Sequence, residues 1–360
     1  MTQWNVKDFV RPHILTLTPY ASARSEYSGQ EGVFLDANEN PLGSATQIAF
    51  NRYPDPLQLA LKKRLAELRS VNPDQIFIGN GSDEAIDLLM RAFCEPGQDH
   101  ILMMPPTYGM YRVSAAINQI ETVSVPLTPD FQIHLEAVLP NLVPGCKIIF
   151  ICSPNNPTGN LLNDDDIHRI IQTQQHGLVV IDEAYIDFSK SEGFIPFLNR
   201  YPNLVILQTF SKAWGLAGLR LGAAYAHPDI IDILNRIKPP YNVNTYTQEK
   251  GVEALSQTKK MQEMIRTILD ERQRLTKSLA QHPMVQKIYP SEANFILVKI
   301  PHAEKIYHYL LKKLIIVRNR AKVLLCEDCL RISVGTAQEN DALLKALESI
   351  NYEAKDFISG

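Results

Sequence analysis

A chain of 360 residues, 45% hydrophobic and 21% charged, has the composition of an ordinary globular protein and the length for more than one lobe. Its net charge of −3 excludes the basic stripe of a nucleic-acid surface. No apolar run approaches the ~18 residues of a membrane span.

The opening stretch "MTQWNVKDFVRPHIL" lacks the cationic start and apolar block of a signal peptide. Two of the five cysteines, Cys94 and Cys152, sit in apolar surroundings, and a cytoplasmic protein is expected. Residues 1–45 carry several turn signals and are expected to form an N-terminal arm and part of a small domain. From "IFIG" (76–79) onward, short apolar runs alternate with helical patterns. The runs are "ILMM" (101–104), "KIIFIC" (147–152), "GLVVID" (177–182), "LVILQT" (204–209) and "LGAAYA" (221–226). Several lack strict alternation, as strands buried on both faces do. Between them, Ile86, Leu89, Met90 and Phe93 recur at helix spacing behind Ser82, which is expected as the N-cap. Asn163 is expected to cap the helix that follows it.

This alternation predicts an α/β large domain over residues 46–255, with a mostly parallel sheet flanked by helices. An amphipathic pattern over 256–281 opens a smaller α+β domain, 256–360. Its strands are expected at "NFILVKI" (294–300), "LIIVRN" (314–319) and "LRISVG" (330–335), with a helix near 303–313.

Ligands of such sheets bind beyond the carboxyl ends of the strands, so the residues following each strand carry the chemistry. Gly81 and Ser82 open a helix whose free N–H groups suit an anion. The run Gly79-Asn80-Gly81 fails the dinucleotide fingerprint, because position 84 is Glu, and no phosphate-binding G-x-x-x-x-G-K-[ST] loop exists. Tyr108 offers a flat face, although a core tyrosine reads the same way. "SPNNPTG" follows the next run, and its Asn156 offers an amide donor. Asp182 ends a buried strand, where a carboxylate is costly without a cation. It suits a metal, an ATPase acid beside Glu183, or a protonated nitrogen. Lys212 stands in "FSKAWGLAGLRLG", nearly free of charge, with Arg220 eight residues on. Pyridoxal phosphate uses this whole set: a lysine to bond it, an acid for its ring nitrogen, phosphate ligands and a stacking ring. Cys326 and Cys329 in "CEDC" have no second pair to complete a zinc site and read as two reduced thiols in a loop.

The motifs "SPNNPTG", "VVIDEAY" and "FSKAWGLAGLRLG" resemble, in order, the fold-type I PLP-dependent transferases. "LTPYASAR", "LDANENPLG", "RYPDP", "PPTYGMY", "SEANFILVK" and "CLRISVGT" narrow the resemblance to the histidinol-phosphate aminotransferases, over essentially the whole chain. The resemblance implies a transaminase of histidinol phosphate and 2-oxoglutarate, giving glutamate, in histidine biosynthesis. It implies catalytic roles for Lys212, Asp182 and Tyr185. Ser82, Asp83, Tyr108, Asn156, Ser211 and Arg220 would complete the cofactor site. Tyr53 would reach the neighbouring subunit's cofactor in a homodimer with shared active sites. Tyr20, Asn38, Arg318 and Arg331 would contact substrate. Two departures stand out: the loop "NRAKVLLCEDC" carries an apolar triplet and an acidic pair, and "NPLG" lacks an aromatic often found near it. Threonine-phosphate decarboxylases share most of these motifs, and an aromatic aminotransferase is a further alternative. A PLP-sensing regulator is disfavoured, since only ~35 residues precede "DANENP" where a winged helix would be needed. No partner among nucleic acids or membranes is expected, and no metal.

Overall fold

The computed structural model describes residues 4–20 and 32–357. A seven-stranded sheet is built from β1 (Ile76–Asn80), β2 (His100–Met103), β3 (Glu121–Ser124), β4 (Cys146–Cys152), β5 (Leu178–Asp182), β6 (Leu204–Thr209) and β7 (Leu221–Ala226). Its order is β1-β7-β6-β5-β4-β2-β3. All neighbours pair in parallel except β7, which runs antiparallel to both β6 and β1.

The continuous apolar runs have a physical reason. Ile149 and Ile151 of β4 belong to a core on one face, while Ile148, Phe150 and Cys152 belong to a core on the other. Side chains alternate between faces with period two, so a strand covered on both faces must be apolar at every position. The helix Ser82–Phe93 covers one face through Ile86, Leu89, Met90 and Phe93. The first turns of the chain add Val6, Val10 and Ile14 to the same core.

A second, antiparallel sheet has the order β10-β11-β9-β8, with β8 Lys287–Ile288, β9 Phe295–Lys299, β10 Arg318–Asn319 and β11 Cys329–Ser333. The helices Thr258–Ala280, Ala303–Lys312 and Ala337–Phe357 pack around it. Ile296 and Val298 point into this smaller core, as do Leu330 and Ile332. Phe295 and Leu297 point the other way, into the core of the large sheet. Arg331 lies between Leu330 and Ile332 and is therefore turned toward the large sheet.

Two strand expectations need correction. The strand expected over 314–319 is reduced to Arg318–Asn319, because Leu314 has φ 59° and lies outside the ladder. The short edge strand β3, Glu121–Ser124, carries no apolar run and was not expected.

Candidate active site

Because β7 runs against its neighbours, its first residues meet the carboxyl ends of the parallel strands. Arg220, just before β7, thereby joins the residues that follow β1, β2, β4, β5 and β6. These segments enclose a cavity of about 730 Å³. Its lining includes Ser82, Asp83, Tyr108, Asn156, Asp182, Tyr185, Ser211, Lys212 and Arg220, with Arg318 and Arg331 from the second sheet.

At one end is an anion cradle. Gly81, not Ser82, occupies the N-cap, and Ser82 is the first helical residue. No side chain caps this helix, so its first N–H groups stay available. Gly81 has φ 73°, and its N–H donates to the Arg220 carbonyl at 2.7 Å. A Cβ on Gly222 would lie 2.2 Å from the Ser82 nitrogen. Both glycines therefore serve the close approach of the helix N-terminus to β7. The Arg220 guanidinium donates to Ser211 Oγ at 3.4 Å and pairs with Asp83 at 3.4 Å. Tyr108 Oη donates to Asp83 Oδ1 at 3.1 Å.

The floor is Asp182, 3% exposed. It accepts from Tyr111 Oη at 2.8 Å and from the Ala184 N–H at 3.0 Å, and it forms no ion pair among the described residues. Burial pushes its carboxyl up to about 6 against these two hydrogen bonds. Lys212 faces Tyr185, with Nζ 5.8 Å from the ring centroid. Burial lowers the Lys212 pKa, and Arg331 and Arg220 push it the same way. A buried carboxylate lacking a cation, a lysine biased toward the neutral amine and an open helix N-terminus beside an arginine fit pyridoxal phosphate: ring nitrogen, aldehyde and phosphate respectively.

The other wall belongs to the second sheet. Arg331 donates to Asn156 Oδ1 at 2.5 Å, and its guanidinium lies 5.1 Å from the Phe295 ring centroid. Arg318 is its direct cross-strand neighbour.

The substrate and interface residues expected from sequence divide differently. Tyr53 and Asn38 lie outside this cavity and line a second one of about 770 Å³, with Arg52, Tyr241 and Tyr246. Tyr53 stacks on Tyr241 at 4.5 Å. Tyr20 is 76% exposed and lines neither cavity.

A family model described as aminotransferase class I and II matches residues 26–347. The histidinol-phosphate aminotransferase of Cytophaga hutchinsonii is 53% identical, over 96% of this chain and 99% of its own. The chain belongs to the histidinol-phosphate aminotransferases. The Parabacteroides distasonis member is 52% identical over 96% of this chain and 99% of its own. The Sinorhizobium meliloti histidinol-phosphate aminotransferase, solved in complex with pyridoxal-5'-phosphate, is 26% identical, with a TM-score of 0.77 over 88% of this chain and 90% of that one.

Two residues that shape this aminotransferase's site, one behind the cavity and one on its wall, escaped the sequence reading. Tyr111, fully buried and stacked on Phe150 at 4.5 Å, holds Asp182. It stands three residues after Tyr108 in the same motif, in the first turn of the helix Met110–Ile117. Arg320 lines the cavity two residues after Arg318, just past the end of β10. Cys326 and Cys329 are buried, unpaired thiols.

Proposed function

We propose that the protein transfers an amino group between L-histidinol phosphate and 2-oxoglutarate, giving imidazole-acetol phosphate and L-glutamate, with pyridoxal phosphate as cofactor. The observation that carries this reading is one cavity lined both by a buried, cation-free Asp182 facing the Lys212 side and by Arg318, Arg320 and Arg331, which form no ion pair among the described residues. Membership of the family and the cofactor bound in the Sinorhizobium meliloti relative support it.

When bound, pyridoxal phosphate supplies an electron sink for breaking the bond between the substrate's α-carbon and its hydrogen. The chain does the rest. Ser82 and Asp83 N–H groups, Ser211 and Arg220 bind the cofactor phosphate. The Asp182 carboxylate keeps a proton on the ring nitrogen, and Tyr111 keeps Asp182 aimed and ionised. Tyr108 covers the ring face; Asn156 and Tyr185 hydrogen-bond its phenolic oxygen. Lys212 bonds the resting cofactor. Its Nζ, when free, would take up and return the proton at the substrate α-carbon. Burial supports this role by favouring the neutral amine that accepts the proton. Arg331 binds the anionic end of either substrate, since its planar fork suits carboxylate and phosphate alike. Arg318 adds charge for the phosphate. Tyr20, exposed outside the cavity, would close over the bound substrate, and Asn38 lines the second cavity rather than this one.

The active enzyme is a homodimer in this reading, with Tyr53 reaching the partner's cofactor phosphate. Its support is that Tyr53 and Asn38 line a second cavity, separate from the one that Lys212 lines. Five unpaired buried thiols favour a reducing compartment, hence the cytoplasm. Purified holoenzyme given histidinol phosphate and 2-oxoglutarate should form glutamate. Faster decarboxylation of threonine phosphate would leave fold and cofactor intact and overturn the named activity.

A further inference from the structure

Arg320 stands on the same cavity wall as Arg318 and Arg331. The register of the small sheet brings them together. Arg318 faces Arg331 directly across β10 and β11. Arg320 lies just past the end of β10, two residues beyond Arg318, and lines the same cavity. Its N–H donates to the Cys329 carbonyl at 2.9 Å, which keeps the chain in register past the end of β10.

Among the described residues, none of the three guanidiniums forms an ion pair, and the Nε atoms of Arg320 and Arg331 are buried without a hydrogen-bond partner. The Arg320 side chain itself makes no hydrogen bond there. Burial brings its pKa down to about 10, with Arg331 and then Arg318 adding to the effect. The folded chain thus holds three neighbouring cations with no protein anion between them. That arrangement is costly by itself and is relieved by a bound anion. A single carboxylate balances one of them. A phosphate dianion balances two and has oxygens enough to accept from all three.

Arg331 is bound to Asn156 and acts on Lys212, so it stands nearest the reacting centre. We propose that Arg320 is a specificity-determining residue, whose guanidinium shares with Arg318 the second negative charge of a phosphate monoester and separates that substrate from the carboxylate-ended one. The proposal rests on the reading that the substrate is a phosphate monoester.

The test uses holoenzyme and compares two half-reactions, histidinol phosphate and glutamate, followed by the cofactor's absorbance change. In Arg320→Gln the ratio of kcat/KM for histidinol phosphate to that for glutamate should fall at least tenfold. Arg320→Lys should fall less, because charge survives while the fork is lost. A second readout is pH. The second ionisation of a phosphate monoester lies near ~6. Wild-type preference for histidinol phosphate should therefore rise between pH 5 and 7 on the order of the dianion fraction, and this rise should flatten in Arg320→Gln. Substrate-free Arg320→Gln should melt no lower than wild type, since it removes a repelling charge. A ratio within about twofold of wild type, with the pH dependence kept, overturns the proposal. Equal losses on both substrates with a lowered melting temperature overturn it too, by making Arg320 structural. If wild-type enzyme fails on histidinol phosphate altogether, it is the functional reading that falls.

Discussion

Asp182→Asn separates what the active site needs from what the fold prefers. The carboxyl of Asp182 is raised from 3.8 to about 6, mainly by burial. An acid whose folded-state pKa exceeds its unfolded one is penalised when ionised. Below pH 3.8 both states carry the proton and no penalty exists. Between 3.8 and about 6 the folded state loses stability with rising pH, and above that the loss is constant. The full shift amounts to about 3 kcal/mol.

Asparagine removes the charge and keeps the shape. Its side-chain oxygen still accepts from the Ala184 N–H, and its amide still faces Tyr111 Oη. Cofactor-free Asp182→Asn should therefore be more stable than cofactor-free wild type at pH 7.5, by up to about 3 kcal/mol. The gain should shrink as pH falls from about 6 and vanish near 4. Urea denaturation of both apoproteins across that range measures it. Cofactor should then stabilise wild type more than the variant, because only wild type offers an anion to the ring nitrogen, and turnover of the variant should fall at least a hundredfold, to about 1% or less. A variant less stable than wild type at pH 7.5, or a difference that ignores pH, would refute the reasoning.

Three further outcomes are expected. Tyr111→Phe keeps the stack on Phe150 and removes a hydrogen bond to a buried carboxylate; at ~1.5–3 kcal/mol for such a bond, the acid limb of cofactor binding by apoprotein should move up by about one to two pH units. An unmoved limb would free Tyr111 from this role. Mixing Tyr53→Ala with Lys212→Ala after joint unfolding should restore part of the activity, since one site of the heterodimer carries neither defect; a mixture as weak as its parents would confine Tyr53 to its own subunit. Arg331→Lys should lower kcat/KM at least tenfold for both histidinol phosphate and glutamate, because an ammonium lacks the paired donors; losses of about threefold or less on both, read from the two half-reactions, would count against it.

How far the sequence disclosed this site depended on which physical signal each part left there. Strands β4, β5 and β6 are covered on both faces and so are apolar at nearly every position, which is visible in one dimension. Asp182 ends one such strand and Lys212 follows another, and their oddity against apolar neighbours marks them. Strand β3 leaves no such trace: its outer residues Glu121 and Ser124 are exposed at the sheet edge. "LIIVRN" misled in the opposite sense, for Leu314 is 83% and Ile316 73% exposed, and their apolar character reflects no strand burial. Ser82 read as a cap by residue type, yet the backbone there needs positive φ, which glycine supplies one position earlier.

The arginine wall was legible only through the family resemblance, which gave Arg318 and Arg331 but not Arg320. Arg318 and Arg331 stand thirteen residues apart, and nothing in that spacing says that they face each other. Their meeting follows from an antiparallel register set by neighbours with no chemical part, Leu330 and Ile332 filling the small core and Asn319 opposite Leu330. A slip of one residue would turn Arg331 into that core and send Leu330 toward the cofactor side. The register that packs the small domain is thus the same constraint that aims three guanidiniums into one cavity. Substitutions in the small core that loosen the register should consequently be felt as lost recognition of the anionic substrate before they are felt as lost fold.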